Sequence, residues 1–216
     1  HINFTVEQGE FVVLMGQSGC GKTTLLKHFK RELTPSGEVT GKILYNGKYI
    51  HDLSDWEAAA EIGFVLQNPD NQIVTDSVWH ELAFGLENLG VTPSTIRRRV
   101  AEMAHYFGIQ SWFHQKTKDL SGGQKQLLNL ASTMVMQPKV LLLDEPTSQL
   151  DPIAAKEFIA TLKQLHEELG LTIILIEHRL EEVLALADRV IVMEQGSIIY
   201  NDIPRHITSV LANDHP

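Results

Sequence analysis

The sequence predicts an α/β domain: a mostly parallel sheet built around a phosphate-binding loop, with a small antiparallel β piece and an inserted helical subdomain. Three observations predict it. Residues 10–33, "EFVVLMGQSGCGKTTLLKHFKREL", read as a buried strand, a glycine-rich loop and a helix. "KVLLLDE" (139–145) and "LTIILIEH" (171–178) are apolar on both faces and of strand length, as central parallel strands are. The stretch 76–119 reads as helical throughout, and it separates the first half of the sheet from the second.

Taken in chain order, the first strand ends at Gly16, and Leu25, Leu26 and Phe29 mark the buried face of the helix that follows the loop. "GEVTGKILYNGKYI" (37–50) alternates around Asn46-Gly47, the strongest short hairpin signal, and supplies the antiparallel piece. In "TPSTIRRRVAEMAHYFGI" (92–109), Ile96, Val100, Met103 and Phe107 share a helical face, Ser94 is the candidate cap, and Arg97, Arg98 and Arg99 read as a solvated face. "LSGGQKQ" (120–126) is a loose turn entering a helix whose apolar residues begin at Leu127. Between the two apolar strands, Ile153, Phe158, Leu162, Leu165 and Leu169 form a stripe closed by Gly170, which makes a βαβ crossover. "RVIVMEQGSIIYND" (189–202) is a terminal hairpin turning at Gln195-Gly196. The expected organisation is one domain over 1–216, with a core of about 1–75 and 126–216 and a helical subdomain of about 76–125.

Composition narrows the function classes. A net charge of −9 argues against a domain whose affinity comes from neutralising nucleic-acid phosphates, so no nucleic-acid partner is expected. Cys20 is the only cysteine, which excludes an intramolecular disulfide and a thiol zinc site; inside the glycine loop it reads as a small residue that fits. The ten histidines show no HExxH pattern. No apolar run approaches the roughly 20 residues needed to span a bilayer. The chain begins with His1, which fits a fragment or a processed protein.

The chemistry concentrates at strand ends. Gly16 to Thr23 match G-x-x-x-x-G-K-[ST] in the required strand–loop–helix setting. Gly16, Gly19 and Gly21 let backbone N–H groups turn toward phosphates, Lys22 can reach the β and γ phosphates, and the Thr23 hydroxyl can meet Mg²⁺. Gln17, Ser18, Cys20 and Thr24 complete the expected ATP-binding segment. At the end of "VLLLDEP", Asp144 is placed to orient the Mg²⁺ shell and Glu145 to polarise the attacking water as general base.

These residues resemble the nucleotide-binding subunit of an ABC transporter over nearly the whole chain, which implies a RecA-like P-loop NTPase core. "GQSGCGKTT" is similar to the family's Walker A loop, Gln67 in "FVLQNPDNQ" to its Q-loop, "LSGGQ" to its signature motif and "LLLDEP" to Walker B; "SQLD" is similar to the D-loop and His178 in "LIEHRLEE" to the switch histidine. The resemblance implies that Gln67 helps bind Mg²⁺ and senses a membrane partner, that Asp151 sits at a dimer seam and that His178 holds the γ phosphate. It also implies a head-to-tail pair of ATPase domains, in which Ser121, Gly122, Gly123 and Gln124 of one close over ATP held by the other. Read alone, Gln67 is equally a loop amide and His178 a strand-end histidine.

Within the family, "QNPDNQIVTDSVWHELAFGLENLGV" and "EPTSQLDP" resemble the ATPases of energy-coupling factor importers for vitamins and transition metals, and "EHRLEE" resembles the versions with two ATPase domains in one polypeptide. The resemblance implies integral membrane transport subunits as partners and a peripheral position on the cytoplasmic face of the membrane. Other ABC importers or exporters, and a soluble ABC protein acting on DNA or ribosomes, are the alternative classes. The family's adenine-stacking aromatic has no assigned counterpart, and the short tail "HITSVLANDHP" fits an excised domain.

Overall fold

The computed structural model describes residues 2–178 and 180–206. The tail from residue 207 and Arg179 of "EHRLEE" lie outside the described residues. Strand β1 (Phe11–Gly16) leads through the glycine loop into helix α1 (Lys22–His28). β2 (Leu44–Tyr45) and β3 (Lys48–Tyr49) form the short hairpin, and β4 (Ile62–Val65) returns the chain to the main sheet. Helices α2 (Val78–Asn88), α3 (Pro93–Tyr106) and α4 (Gly122–Val135) follow. Then come β5 (Val140–Asp144), α5 (Pro152–Leu169), β6 (Thr172–Ile176), α6 (Leu180–Val183), β7 (Arg189–Glu194) and β8 (Ser197–Asp202).

The main sheet has six strands in the order β4-β5-β6-β1-β7-β8, and only the β7–β8 pair is antiparallel. Central strands are buried on both faces, which is why they read as unbroken apolar runs. Phe11, Val13 and Met15 face Phe158, Leu162 and Leu165 of α5, while Val12 and Leu14 join Leu26 of α1 on the other side. A third apolar cluster unites Val78, Leu82 and Leu86 of α2, Ile96 and Val100 of α3, and Leu128, Ala131 and Val135 of α4. Both hairpins turn on two left-handed residues, Asn46-Gly47 and Gln195-Gly196, as the right-handed strand twist requires.

Several local expectations change. The helix after the glycine loop ends at His28, with Phe29 as its cap: Lys30 leaves helical geometry and spends its ammonium on the carbonyls of Ala58 (2.5 Å) and Ile62 (2.6 Å). Thr92, not Ser94, holds the N-cap position of α3, with no side-chain capping hydrogen bond, because Pro93 with its preset φ takes the first helical position. Arg97 and Arg98 are exposed, but Arg99 is half-buried beside Val100, so the arginine run is not wholly solvated. On α5 the buried stripe is Ala155, Phe158, Ile159, Leu162 and Leu165, whereas Ile153 and Leu169 at its two ends are 73% and 52% exposed. β4 is an element the sequence analysis does not anticipate; its "IGFV" is short and contains glycine. Gly63 is required there: a Cβ would lie 2.5 Å from Thr133 Cγ2.

Candidate active site

Parallel pairing brings four strand ends to one edge of the sheet. Leu14 of β1 and Asp144 of β5 both pair with Ile176 of β6, and Val65 of β4 pairs with Leu143. Gln67, Glu145 and His178 therefore each follow an aligned strand end by one or two residues. Ligands gather at such edges because loops there converge and the backbone N–H groups are free.

The loop after β1 is shaped by its glycines. Gly16 has φ +142° and no room for a Cβ, which would sit 2.2 Å from Met193 O. Gly21, at φ +104°, is the N-cap of α1. Gly16→Ala is therefore expected to destabilise the domain by about 1–3 kcal/mol, lowering Tm by about 2–4 °C per kcal/mol at this size. An unchanged thermal melt would show that the loop has slack at Met193. Cys20 is buried, and its carbonyl accepts from Gly196 N at 3.0 Å, so it packs as the small residue expected and ties the loop to the β7–β8 turn.

Lys22 is 5% exposed, and its Nζ donates to Gly16 O at 2.7 Å and Gln17 O at 3.0 Å. This ammonium lies along the loop it serves. Thr23 Oγ1 donates to Asp144 Oδ1 at 2.8 Å. Burial pushes the Asp144 carboxyl above the usual carboxylate range, against the Thr23 hydrogen bond, which acts the other way; the neighbouring Glu145 adds to the rise. Ser18, Gly19, Gly21, Lys22, Thr23, Thr24 and Glu145 line one cleft.

Glu145 is the centre of the arrangement. Its backbone is left-handed (φ +45°), a conformation that is uncommon outside glycine and that turns the side chain off the strand end. Gln67 Nε2 donates to Oε2 at 2.9 Å, and His178 Nε2 meets Oε1 at 2.8 Å. An ionised carboxylate only accepts, so His178 carries its proton on Nε2. Glu145 has a largely buried side chain, while half of the His178 side-chain surface is exposed.

The sequence reading gave no role to Glu177. This residue is 3% exposed and holds two neighbours: Thr147 Oγ1 donates to its Oε2 at 2.8 Å, and His178 N donates to its Oε1 at 3.0 Å. It fixes the segment between Glu145 and Asp151 against the chain that carries His178. The available signal was an acidic residue directly after an apolar strand, which the adjacent histidine overshadowed.

The structure brings together Thr23, Lys22, Asp144, Glu145, Gln67 and His178. It does not bring Ser121, Gly122, Gly123, Gln124 or Asp151 to the lining of that cleft, among the described residues. Ser121 instead caps α4, accepting from Gln124 N at 3.3 Å while its own N–H donates to Gln124 Oε1 at 2.9 Å. Asp151 Oδ1 caps α5 through Ile153 N (2.9 Å) and Ala154 N (3.0 Å). The two helix starts are neighbours, since a Cβ on Gly123 would lie 3.1 Å from Ala154 Cβ.

A family model described as ABC transporter matches residues 1–148, a span that begins ahead of β1 and runs past Glu145. The chain belongs to the ABC transporter family. It is 56% identical over 209 residues to a putative ABC transporter ATP-binding protein of Bacillus thuringiensis subsp. konkukian, covering 97% of this chain and 38% of that protein. The chain thus spans well under half the length of the curated relatives it matches first. It is 42% identical over 210 residues to the energy-coupling factor transporter ATP-binding protein EcfA1 of Clostridium perfringens, covering 97% of this chain and 73% of that one. Among solved structures it resembles cbiO1 of Clostridium perfringens, described as part of the ABC transporter complex cbiONQ, with TM-score 0.85 and 37% identity over 96% of this chain and 82% of that one. As in the P-loop NTPase core expected for this ABC family member, the sheet is mostly parallel with one antiparallel edge.

Proposed function

We propose that this chain is the MgATP-binding and ATP-hydrolysing motor domain of a solute-uptake transporter of the energy-coupling factor type. The observation that carries the reading is Glu145, held between Gln67 and His178 beside a complete phosphate-binding loop. The similarity to EcfA1 and to cbiO1 supports the branch.

In this reading Gly16, Gln17, Ser18, Gly19, Cys20, Gly21, Thr23 and Thr24 wrap the ATP phosphates with backbone N–H groups, and Lys22 moves from the loop carbonyls to the β and γ phosphates. Glu145 accepts the proton of the attacking water. Its hydrogen bonds to Gln67 and His178 occupy half of the roughly four lone-pair sites of a carboxylate, leaving acceptors free for that water. When nucleotide binds, His178 turns its Nε2–H from Glu145 to the γ phosphate, which frees a further acceptor on the carboxylate, and Glu177 fixes the main chain on which it sits.

The donors fit Mg²⁺. No group of three or more His, Cys, Asp or Glu side chains that could cage a metal exists among the described residues, and Mg²⁺ is a cation bound through one or two carboxylates, here Asp144, together with neutral oxygens, waters and phosphates. Thr23, Asp144 and Gln67 would hold it, and when bound it neutralises charge on the β and γ phosphates.

Ser121, Gly122, Gly123 and Gln124 are read as the cradle for ATP held by a second ABC ATPase domain, with Asp151 at the seam. That second domain is either another copy of this chain or a sister domain. Among the described residues no helix is long and apolar enough to cross a membrane. The likeness to energy-coupling factor ATPases supports integral membrane subunits as partners, and the domain is read as peripheral on the cytoplasmic face. A surface lined by Asp70, Ile73, Val74, Thr75, Thr117, Lys118 and Lys125, with Val74 62% exposed, joins the segment after Gln67 to the helical region and supports docking there.

The test is to tag the full parent protein in its own cell, extract it in mild detergent and identify its companions by mass spectrometry. Small integral membrane proteins, one a scaffold and one a solute binder, are expected. Ribosomes or DNA without any membrane protein would overturn the transport reading.

A further inference from the structure

We infer that Gln126 and Asn129, two buried amides near the start of α4, are positioning residues for the hydrolytic centre: they fix the loop that carries Gln67, the donor that orients Glu145. The inference rests on the ATPase reading above. Both side chains are fully buried. Gln126 Nε2 donates to Leu66 O and Asn129 Nδ2 to Pro69 O, each at 3.1 Å. They grip the main chain on both sides of Gln67, and their i, i+3 spacing puts them on one helical face. Lys125 adds an outer brace, an ion pair to Asp70 at 2.6 Å.

Packing alone does not explain these amides. Gln126 Oε1 and Asn129 Oδ1 are buried with no hydrogen-bond partner among the described residues. An unpaired buried polar atom weakens a fold, and an apolar residue of the same shape would fill the space at least as well. What an apolar residue cannot do is donate to Leu66 O and Pro69 O. Turning either amide over would set oxygen against oxygen, so the geometry also fixes its orientation.

The consequence is mechanical. α4 is capped by Ser121, whose capping box fixes the helix start, and five residues later Gln126 holds the chain next to Gln67. From there Gln67 Nε2 reaches Glu145. A displacement of the Ser121 end is thereby passed to the carboxylate, which links the signature turn to the chemistry in the same chain.

The experiment uses the full-length protein with its membrane partners and compares Gln126→Met, Asn129→Leu and the surface variant Lys125→Met, each alone and combined with Gln67→Ala. Melting curves and equilibrium binding of a non-hydrolysable ATP analogue control for folding. Loss of one fixed contact to the loop is expected to lower kcat about tenfold for the buried pair and about twofold to threefold for Lys125→Met, with KM for ATP within about twofold. In the Gln67→Ala background the same substitutions should change kcat by less than about twofold, because the group they position is gone. Unchanged kcat, or the full loss persisting without Gln67, would overturn the inference. Should the buried variants fail to fold, the Lys125→Met comparison decides alone. Full activity of Glu145→Gln would instead overturn the ATPase reading on which it rests.

Discussion

Replacing Glu145 by Gln lowers ATP turnover by about 10²–10⁴-fold, the usual contribution of a positioned general base. The amide keeps the size of the carboxylate and can still accept from Gln67 or His178 through its oxygen, so the nucleotide site keeps its shape. What it loses is the ability to take a proton from water. ATP affinity should therefore survive, and the ATP-bound pair of domains should accumulate if hydrolysis is what opens it. Single-turnover kinetics with labelled ATP, run beside size-exclusion light scattering, reads both quantities. Turnover within a few-fold of wild type would remove Glu145 from the role.

Asp144→Asn is expected to separate stability from activity. Burial raises the Asp144 carboxyl above its ordinary value, so the folded state favours the protonated form. A group raised in this way contributes its stability below the ordinary carboxylate range and loses that contribution as pH rises through the raised value. At neutral pH the ionised carboxylate opposes folding. Removing the charge should raise Tm at pH 7, and the gain over wild type should vanish as the pH falls below the carboxylate range. The asparagine oxygen can still accept from Thr23, but the site loses a hard anionic donor near the metal position, and turnover should fall about 10–100-fold. A variant that melts lower than wild type at pH 7 would mean that the Asp144 charge is compensated in the fold.

Much of the fold was legible because its signals are local. The two apolar strands, the glycine loop and both Gly-containing turns announce themselves within a few residues. β4 was not legible, since "IGFV" acquires strand geometry only by packing Gly63 under Thr133 and pairing with β5. The ends of α5 misled for the same reason: Ile153 and Leu169 fit an apolar spacing, but only Ala155 to Leu165 meet the sheet. At the site, Lys22, Thr23, Asp144 and Glu145 follow from motif and spacing. Gln67 and His178 needed the resemblance, because an amide in a loop and a histidine after a strand carry no chemistry until Glu145 lies between them. Gln126 and Asn129 were invisible, since their work is done through partners about 60 residues away in the chain, and Glu177 was overshadowed by the histidine beside it.

The central claim is that the Ser121–Gly123 turn serves a nucleotide held by another domain. The most direct test mixes two inactive forms: Lys22→Ala, with a disabled phosphate loop and an intact signature turn, and Ser121→Arg, with the reverse. If the site is composite, each form alone is inactive, and the mixture regains MgATP hydrolysis through one restored pairing. Full turnover by Ser121→Arg alone would contradict it.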